Sequence, residues 1–253
     1  MNVLNDIVKY KKQNIQQHKE KISIADLEKK IAENRFKHKS FFKLLESTDQ
    51  LPQVIAEIKK SSPSAGVIVE NYDPKMIMEK YQNKGFRNIS VLTEDKYFSG
   101  SNQDLELIKQ NYDVATLQKD FIIDEWQIYQ AKAYGADCIL LISEILSDSE
   151  IKKFIGIATS LDMDVLLEFH QVTELPKILN SNLNIIGINN RNLSTLETNP
   201  LHALEIRDTF INEFRDHDIV AESGISSTLI IDKYLSNGIT KFLIGESLLR
   251  ESF

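Results

Sequence analysis

The chain has 253 residues, of which 42% are hydrophobic and 26% carry a charge. This composition supports a sizeable buried core and differs from that of a disordered chain. The length fits either two ordinary domains or one α/β barrel, which takes roughly 200 to 250 residues. A formal net charge of −7 argues against a sequence-independent nucleic-acid binder, which presents an excess of Lys and Arg to phosphate groups. We therefore expect no nucleic-acid partner, and a local basic site for one small anion stays open.

Cys138 is the only cysteine, which excludes an intramolecular disulfide and a cysteine-rich zinc site and fits a reducing compartment. The five histidines are scattered and never stand at i, i+4 spacing, so the sequence predicts no metal site. Residues 1–17 are polar and lack the apolar core of a signal peptide. No apolar run approaches the roughly 18 residues needed to cross a bilayer. We expect a cytoplasmic protein with no membrane partner.

The predicted elements begin with a helical segment over residues 2–45, where apolar residues recur at helical spacing among Lys, Glu and Gln. Beyond Pro52 a unit repeats, made of a short apolar run, a polar break and an amphipathic stretch. The apolar runs predict eight strands, at residues 54–58, 88–92, 114–117, 138–142, 165–167, 185–188, 219–221 and 242–244. Gly85, Gly135 and Gly238 are each separated from the next strand by two or three residues, a position where a helix C-cap needs a left-handed residue.

The repetition of helix, glycine and strand indicates βα units with parallel strands. Eight such units at intervals of roughly 25 residues fit a closed (β/α)₈ TIM barrel better than an open sheet, which has five or six strands. No linker rich in Pro, Gly or Ser divides the chain. We therefore expect one α/β domain over residues 1–253, with an N-terminal helical extension at 1–47 and the barrel at 48–253.

Polar residues stand at the predicted strand ends, which meet at one mouth of a barrel. The first strand ends in Glu57 and Lys59, which are two apart and so share a face. Four further strand ends carry polar residues that would surround the same pocket, namely Lys119, Glu168, Asn189 and Glu222. Six polar groups in one mouth indicate a functional site.

Each of these residues also has a structural interpretation. A carboxylate and an ammonium buried together after the first strand fit a structural ion pair. Lys119 could pair with Asp120 on the rim, and Glu168 could cap the next helix. Asn189 and Asn190 could be ordinary turn residues. The recurrence of polar residues at strand ends favours the site over these alternatives.

The loops after the last two strands predict a phosphate site. Glu222-Ser223-Gly224 and Gly245-Glu246-Ser247 each place a glycine at the start of a predicted helix, where free N–H groups and a positive dipole attract anions. Barrels often bind a substrate phosphate between loops seven and eight in this way. We expect a small-molecule phosphorylated ligand.

Several blocks of the sequence resemble the indole-3-glycerol phosphate synthase family of tryptophan biosynthesis. The matching stretches are residues 54–66 (VIAEIKKSSPSAG), 90–101 (SVLTEDKYFSGS), 119–123 (KDFII), 135–142 (GADCILLI), 186–193 (IGINNRNL), 221–225 (AESGI) and 242–250 (FLIGESLLR). The resemblance runs essentially from end to end. It implies a cofactor-free lyase that converts 1-(2-carboxyphenylamino)-1-deoxyribulose 5-phosphate to indole-3-glycerol phosphate, with release of carbon dioxide and water.

The resemblance also implies the site residues. They are catalytic Glu57, Lys59, Lys119, Glu168, Asn189, Glu222 and Ser223, and substrate-binding Ser62, Phe98, Phe121, Leu140, Arg191, Gly224, Gly245 and Glu246. Lys119 would be the acid for ring closure, and a buried lysine with a lowered pKa suits that role. Lys59 would engage the substrate carboxylate, and Glu168 would be the general base. The three apolar residues would hold the anthranilate ring, although ordinary barrel packing stays an alternative for them.

Two features qualify the resemblance. Glu246 would repel a phosphate if it pointed inward, so we expect its side chain to face outward. The chain ends at Phe253, before the longer final helix common in the family, so we expect a shorter eighth helix and lower stability.

Two alternative functions remain. A sister barrel enzyme, phosphoribosylanthranilate isomerase, is expected to use a cysteine at the first strand end, whereas Cys138 opens the fourth strand at the opposite end. A catalytically inactive barrel could bind a phosphorylated metabolite, but it would not need two lysines and a carboxylate in one mouth. We expect a monomer, and association with other tryptophan-pathway enzymes stays open.

Overall fold

The structure, a computed structural model, describes residues 2–48 and 50–250. The helices are α1 (Val3–Lys19), α2 (Ile24–Glu33), α3 (Phe41–Leu45), α4 (Pro74–Asn83), α5 (Asn102–Asn111), α6 (Glu125–Ala133), α7 (Asp148–Ser160), α8 (Leu175–Leu179), α9 (His202–Thr209), α10 (Thr228–Leu235) and α11 (Glu246–Leu249). The strands are β1 (Gln53–Ile58), β2 (Ser61–Ser62), β3 (Gly66–Val67), β4 (Asn88–Leu92), β5 (Ala115–Lys119), β6 (Cys138–Ile142), β7 (Asp164–Phe169), β8 (Ile185–Asn189), β9 (Asp218–Glu222) and β10 (Lys241–Ile244). Short 3₁₀ helices lie at Ser143–Ile145 and Val172–Glu174.

Eight of these strands close into one barrel, in the order β1-β10-β9-β8-β7-β6-β5-β4. Each of them is parallel to both of its neighbours, and helices follow the strands on the outside. The other two strands, β2 and β3, pair antiparallel as a small hairpin directly after β1. The predicted (β/α)₈ barrel and its eight strands are confirmed.

Four polar residues lie within strands instead of just beyond them, which corrects the predicted strand ends. Lys119, Asn189 and Glu222 are the last residues of β5, β8 and β9, and Glu168 is the fifth residue of β7. Membership in a strand matters because successive side chains of a strand point to opposite faces. The hydrogen-bond ladder therefore decides that these polar side chains point into the barrel.

The N-terminal end of the barrel is closed by α3. Phe41 is wholly buried in the cluster of apolar side chains inside the barrel, together with Leu117 and Leu166. The Phe41 carbonyl accepts a hydrogen bond from Asn88 Nδ2 at 2.7 Å, and its N–H donates to Asp164 Oδ2 at 2.6 Å. Both partners lie at the starts of barrel strands, so the helical extension is fastened to the lower rim.

The first two helices pack along the outside of the barrel. Lys11 of α1 forms an ion pair with Asp120, which directly follows β5, and Lys19 pairs with Asp124 at the start of α6. A capping box begins α2, where the Ser23 hydroxyl accepts from the Asp26 N–H and the Asp26 carboxylate accepts in return. The predicted helical segment is confirmed, and it consists of three separate helices.

Gly85, Gly135 and Gly238 follow helices with φ of +80°, +93° and +82°, as predicted for C-cap positions. The last helix, α11, is short over its described part, and the expectation about the chain end falls on residues 251–253, which lie outside the described residues. Within residues 2–48 and 50–250, no helix combines the length and apolar character needed to span a membrane.

Candidate active site

A cavity of about 260 Å³ opens at the carboxyl ends of the barrel strands. Fourteen of the residues that the sequence predicted for the site line this cavity: Glu57, Lys59, Ser62, Phe98, Lys119, Phe121, Leu140, Glu168, Asn189, Arg191, Ser223, Gly224, Gly245 and Glu246. They come from every part of the barrel, separated by up to 189 residues of sequence. The fifteenth residue, Glu222, has no exposed surface and lies behind Lys119.

Lys119 is surrounded by three carboxyl groups. Its Nζ lies 2.6 Å from Glu222 Oε2, 3.8 Å from Glu57 Oε2 and 3.9 Å from Glu168 Oε2. Burial alone would lower the pKa of Lys119, but the three carboxyl groups outweigh burial and raise it above the ordinary lysine value. The expected lowering of this pKa is therefore wrong, because three negative neighbours favour the charged ammonium. Lys119 carries its proton at neutral pH.

Glu57 and Lys59 form the expected ion pair at the end of β1. Lys59 Nζ lies 2.6 Å from Glu57 Oε1, and the side chain of Glu57 is almost wholly buried. Burial would raise the pKa of Glu57, but the ammonium groups of Lys59 and Lys119 lower it below its usual value. Both residues line the cavity, so the ion pair is part of the site as well as a structural contact.

Glu168 is the second buried carboxyl group of the site. Burial and the adjacent Glu222 carboxyl raise the pKa of Glu168 well above the ordinary value, against the opposing effect of Lys119. Its Oε1 accepts a hydrogen bond from Asn189 Nδ2 at 3.3 Å. Glu168 Oε2 and Glu222 Oε1 have no hydrogen-bond partner among the described residues.

One wall of the cavity is apolar. The rings of Phe98 and Phe121 have centroids 6.0 Å apart at 37°, and Leu140 and Ile142 contribute from β6. Phe121 and Leu140 also belong to the apolar cluster inside the barrel. The same side chains therefore pack the barrel interior and form a slot beside the charged groups.

The loops after β9 and β10 line the opposite part of the cavity. Helix α10 begins at Thr228, so the prediction that Gly224 starts a helix is wrong; Gly224 instead lies in the preceding turn with φ +70°. Gly245 does precede a helix, as the N-cap of α11. The N–H groups of Gly224, Ile225 and Glu246 donate to no acceptor within residues 2–48 and 50–250. They are available to an anion.

A family model described as indole-3-glycerol phosphate synthase matches residues 4–252. The chain belongs to the indole-3-glycerol phosphate synthase family. Relatives with that name occur in Aliarcobacter butzleri (strain RM4018), 42% identical over 98% of this chain and 94% of that protein, and in Prochlorococcus marinus (strain MIT 9215), 42% identical over 99% and 86%. The protein of that name from Sulfurimonas denitrificans is 38% identical over 98% of this chain and 94% of its own length.

A solved structure shows the same fold at low identity. It is titled "Structure of a cube-shaped, highly porous protein cage designed by fusing symmetric oligomeric domains", and it matches with a TM-score of 0.56 and 14% identity. The match covers 78% of this chain and 64% of that chain. At this identity it supports the barrel fold alone.

Polar contacts hold the residues at the mouth of the cavity, which is consistent with membership of the indole-3-glycerol phosphate synthase family. The Arg191 guanidinium donates to the Ser64 hydroxyl of the β2–β3 hairpin, which also carries Ser62. The Arg191 N–H donates to Asn189 Oδ1 at 3.0 Å. Glu246 forms an ion pair with Arg250 at 3.0 Å, and both side chains are exposed to solvent in part.

Three structural alternatives for the site residues are wrong. Asp120 binds Lys11, Thr93 and the Phe121 N–H, and does not pair with Lys119. Glu168 lies inside β7 and caps no helix. Asn189 lies in β8, so it is not a turn residue.

The neighbouring asparagine and the only cysteine have other roles. Asn190 does have a structural role, since Nδ2 donates to the Ser223 carbonyl and Oδ1 accepts from the Ala203 N–H. Cys138 is buried at the N-terminal start of β6, and burial raises the pKa of its thiol well above the ordinary value. A thiol so far from ionisation does not suit the isomerase chemistry.

Two residues near the site were missed by sequence reasoning. Asp120 lines the cavity next to Lys119 and connects it to the N-terminal extension through Lys11. Gly187 lies inside β8, directly against the carboxyl group of Glu222 and the Cβ atom of Glu168. A single glycine in an otherwise apolar strand was the available signal for the second residue, because such glycines mark close approach.

Proposed function

We propose that this chain is an indole-3-glycerol phosphate synthase, a carboxy-lyase acting on 1-(2-carboxyphenylamino)-1-deoxyribulose 5-phosphate. The observation that carries the proposal is one cavity in which a charged lysine, Lys119, lies beside Glu168 and which a second lysine, Lys59, also lines. Family membership over nearly the whole chain supports it. A binding-only barrel would not need two partly buried ammonium groups and three buried carboxyl groups in one mouth.

The substrate would lie across the cavity with its charged ends apart. The free N–H groups of Gly224 and Glu246 suit the phosphate, with Ser223 close by. The aryl ring would enter the slot of Phe98 and Phe121 above Leu140. This placement would bring the reacting carbons over Lys119.

The anthranilate carboxylate needs cations. Lys59 and Arg191 are cations that line the cavity, and Ser62 lies on the hairpin whose Ser64 hydroxyl accepts from Arg191. Glu57 holds the Lys59 ammonium at 2.6 Å. A carboxylate bound there would be positioned for loss as carbon dioxide.

The chemistry then requires two acids and one base. When the ring carbon that bears the carboxylate attacks the ribulose carbonyl, a C–C bond forms and Lys119 gives its proton to the developing alkoxide. An alkoxide is more basic than this lysine even with its raised pKa, so the transfer is favourable. Carbon dioxide leaves with cleavage of the C–C bond to the ring. The new hydroxyl then leaves as water with a proton from Lys59, while Glu168 takes the proton that restores the aromatic indole.

The remaining polar residues would position these groups. Glu222 holds Lys119, and Asn189 holds Glu168. Asn189 also accepts from the Arg191 N–H, which keeps its amide in one orientation. The raised pKa of Glu168 suits a general base that must bind a proton at neutral pH.

We also propose one domain, with residues 1–47 as an extension fastened to the barrel at 48–253. The burial of Phe41 inside the barrel and the Lys11–Asp120 ion pair support it. We further propose a cytoplasmic monomer that works without a cofactor, and the single buried cysteine fits a reducing compartment.

The test is to incubate the purified chain with carboxyphenylamino-deoxyribulose phosphate and to follow the indole product by its fluorescence. Lys119→Ala should lower kcat by about 10³-fold, the range of a lost general acid. The exposed Lys29 supplies the matched control, Lys29→Ala, which should leave kcat unchanged. Circular dichroism is needed for both variants, because loss of Lys119 leaves three carboxyl groups without their shared cation. A folded chain that forms no indole product would contradict the proposed function.

A further inference from the structure

Position 187 is a place in the barrel interior where a side chain is expected. Gly187 pairs with Glu168 of β7 on one side and with Val220 of β9 on the other. Residues paired across neighbouring parallel strands point to the same face. Val220 belongs to the apolar cluster inside the barrel and Glu168 lines the cavity, so position 187 faces inward. Barrel interiors are packed with layers of side chains, and Gly187 leaves a gap in one layer.

The gap at Gly187 is filled by the carboxyl group of Glu222. A Cβ atom at position 187 would overlap Glu222 Oε1, and it would come within 3.0 Å of Glu168 Cβ. The φ angle of Gly187 is outside the left-handed region, so an alanine could adopt the backbone conformation. The requirement for glycine here is therefore one of space.

The filled gap determines what Glu222 contacts. Glu222 Oε2 lies 2.6 Å from Lys119 Nζ, while Oε1 is directed toward β8 and has no partner among the described residues. Glu168 Oε2 is likewise buried without a hydrogen-bond partner among the described residues, and it lies 3.9 Å from the same ammonium. Glu222 can connect the lysine to the second carboxyl group only while its Oε1 occupies the space over Gly187.

We propose that Gly187 is a positioning residue that allows the Glu222 carboxyl group to bridge Lys119 and Glu168. The proposal rests on the proposed function, since the two bridged groups are its acid and its base. An alanine would force the Glu222 carboxyl group to move by roughly 1 Å to regain van der Waals contact. Lys119 would lose its nearest anion, and Glu168 would lose a neighbour that helps to raise its pKa.

The kinetic test compares Gly187→Ala with a matched glycine variant. Gly187→Ala should lower kcat by about 100-fold, the cost of a misplacement of this size. KM should change by less than about threefold, because Glu222 lies behind the cavity wall and not on it. Gly156 of α7 has open space around it, so Gly156→Ala should leave kcat unchanged. A Gly187→Ala variant with unchanged kcat would overturn the proposal.

A double-substitution cycle tests whether the effect passes through Glu222. In a Glu222→Ala background there is no carboxyl group to displace, so adding Gly187→Ala should cost less than about twofold in kcat. If adding Gly187→Ala to Glu222→Ala lowers kcat by as much as Gly187→Ala does alone, the proposal is overturned. If Gly187→Ala alone fails to fold, Gly187→Ala with Glu222→Ala should recover the fold. If the double variant also fails to fold, the steric overlap that matters is with Glu168 and not with Glu222, and the proposal is overturned.

A third readout does not depend on turnover. In protein with ¹³C-labelled glutamate, the carboxyl signal that disappears in Glu168→Gln should titrate well above the ordinary range. It should move toward the ordinary value in Gly187→Ala. The charged or titratable groups facing Glu168 are Glu222 from β9, Lys119 from β5 and Glu144 from the 3₁₀ helix after β6.

An unchanged Glu168 titration in Gly187→Ala would overturn the positioning role. If the unsubstituted chain forms no indole product, the proposed function fails, and this titration alone decides the position of Glu222.

Discussion

The ion pair between α1 and the loop after β5 connects the N-terminal extension to the site, so we predict that its removal affects both stability and activity. Lys11 Nζ lies 2.6 Å from Asp120 Oδ1, with 8% and 4% of the two side chains exposed. Asp120 follows Lys119 directly, and it also accepts from the Phe121 N–H at 2.7 Å and from the Thr93 hydroxyl at 2.7 Å. Removal of the ammonium by Lys11→Met leaves the Asp120 carboxylate buried without its cation.

The size of the effect follows from burial. Removing one partner of a buried ion pair costs about 3 to 5 kcal/mol. Asp120 keeps two hydrogen bonds and methionine replaces the aliphatic stem of Lys11, so we expect the lower value, about 3 kcal/mol. For a chain of this length, 1 kcal/mol changes Tm by about 2 to 4 °C, so Tm should fall by about 6 to 12 °C.

The assay is thermal and urea unfolding followed by circular dichroism, with kcat/KM measured in parallel. The adjacent, exposed Lys12 supplies the control, Lys12→Met, which should stay within about 0.5 kcal/mol of the unsubstituted chain. Because Asp120 connects Lys119 to Phe121, kcat/KM of Lys11→Met should also fall. Removing both charges, in Lys11→Met with Asp120→Asn, should restore most of the stability. A loss below 1 kcal/mol in Lys11→Met, or additive losses in the double variant, would refute the reasoning.

Two further predictions concern stability alone. Burial and Glu222 raise the pKa of Glu168, so its contribution to stability is complete below the unfolded pKa of about 4.3 and is lost as pH rises through the higher folded value. Glu168→Gln removes this dependence, so its free energy of unfolding relative to the unsubstituted chain should increase between about pH 5 and pH 8 in urea titrations; a constant difference would contradict it. Gly238→Ala should cost about 1 to 2 kcal/mol in the same assay, because φ is +82° although no atom obstructs a Cβ. Gly156→Ala is its control, and equal stability of both variants would count against the backbone explanation.

The sequence predicted the elements of the fold because each one rests on local patterns. The apolar run at 138–142 reads as a strand in isolation, and Gly135 before it ends a helix through its own left-handed φ of +93°. Parallel strands bring their carboxyl ends to one mouth, so the positions of Glu57 and Asn189 in the sequence were enough to bring them to one cavity. The turn at Gly224 was harder to predict from the sequence, since the start of α10 depends on the cap formed by Ser227.

The electrostatic interactions inside the cavity could not be predicted from the sequence, because they depend on closure of the barrel. A lowered pKa for Lys119 was a reasonable expectation for a buried ammonium, but the three carboxyl groups that reverse it come from β1, β7 and β9. The Lys119–Glu222 contact joins residues 103 positions apart. Its geometry depends on the strand register, because a shift of one residue would turn Glu222 away from the interior.

The sequence by itself determined the βα repeat, the mouth at which the polar residues gather and the family to which those residues point, since all three are expressed in local order and spacing. Only the tertiary structure decided which carboxyl group holds which ammonium, that Asp120 pairs with α1, and that the space over Gly187 receives Glu222. The physical reason is the sequence distance over which each kind of interaction acts. Strand and cap preferences act over a few residues, whereas charge pairing and packing depend on distances that closure of the barrel sets.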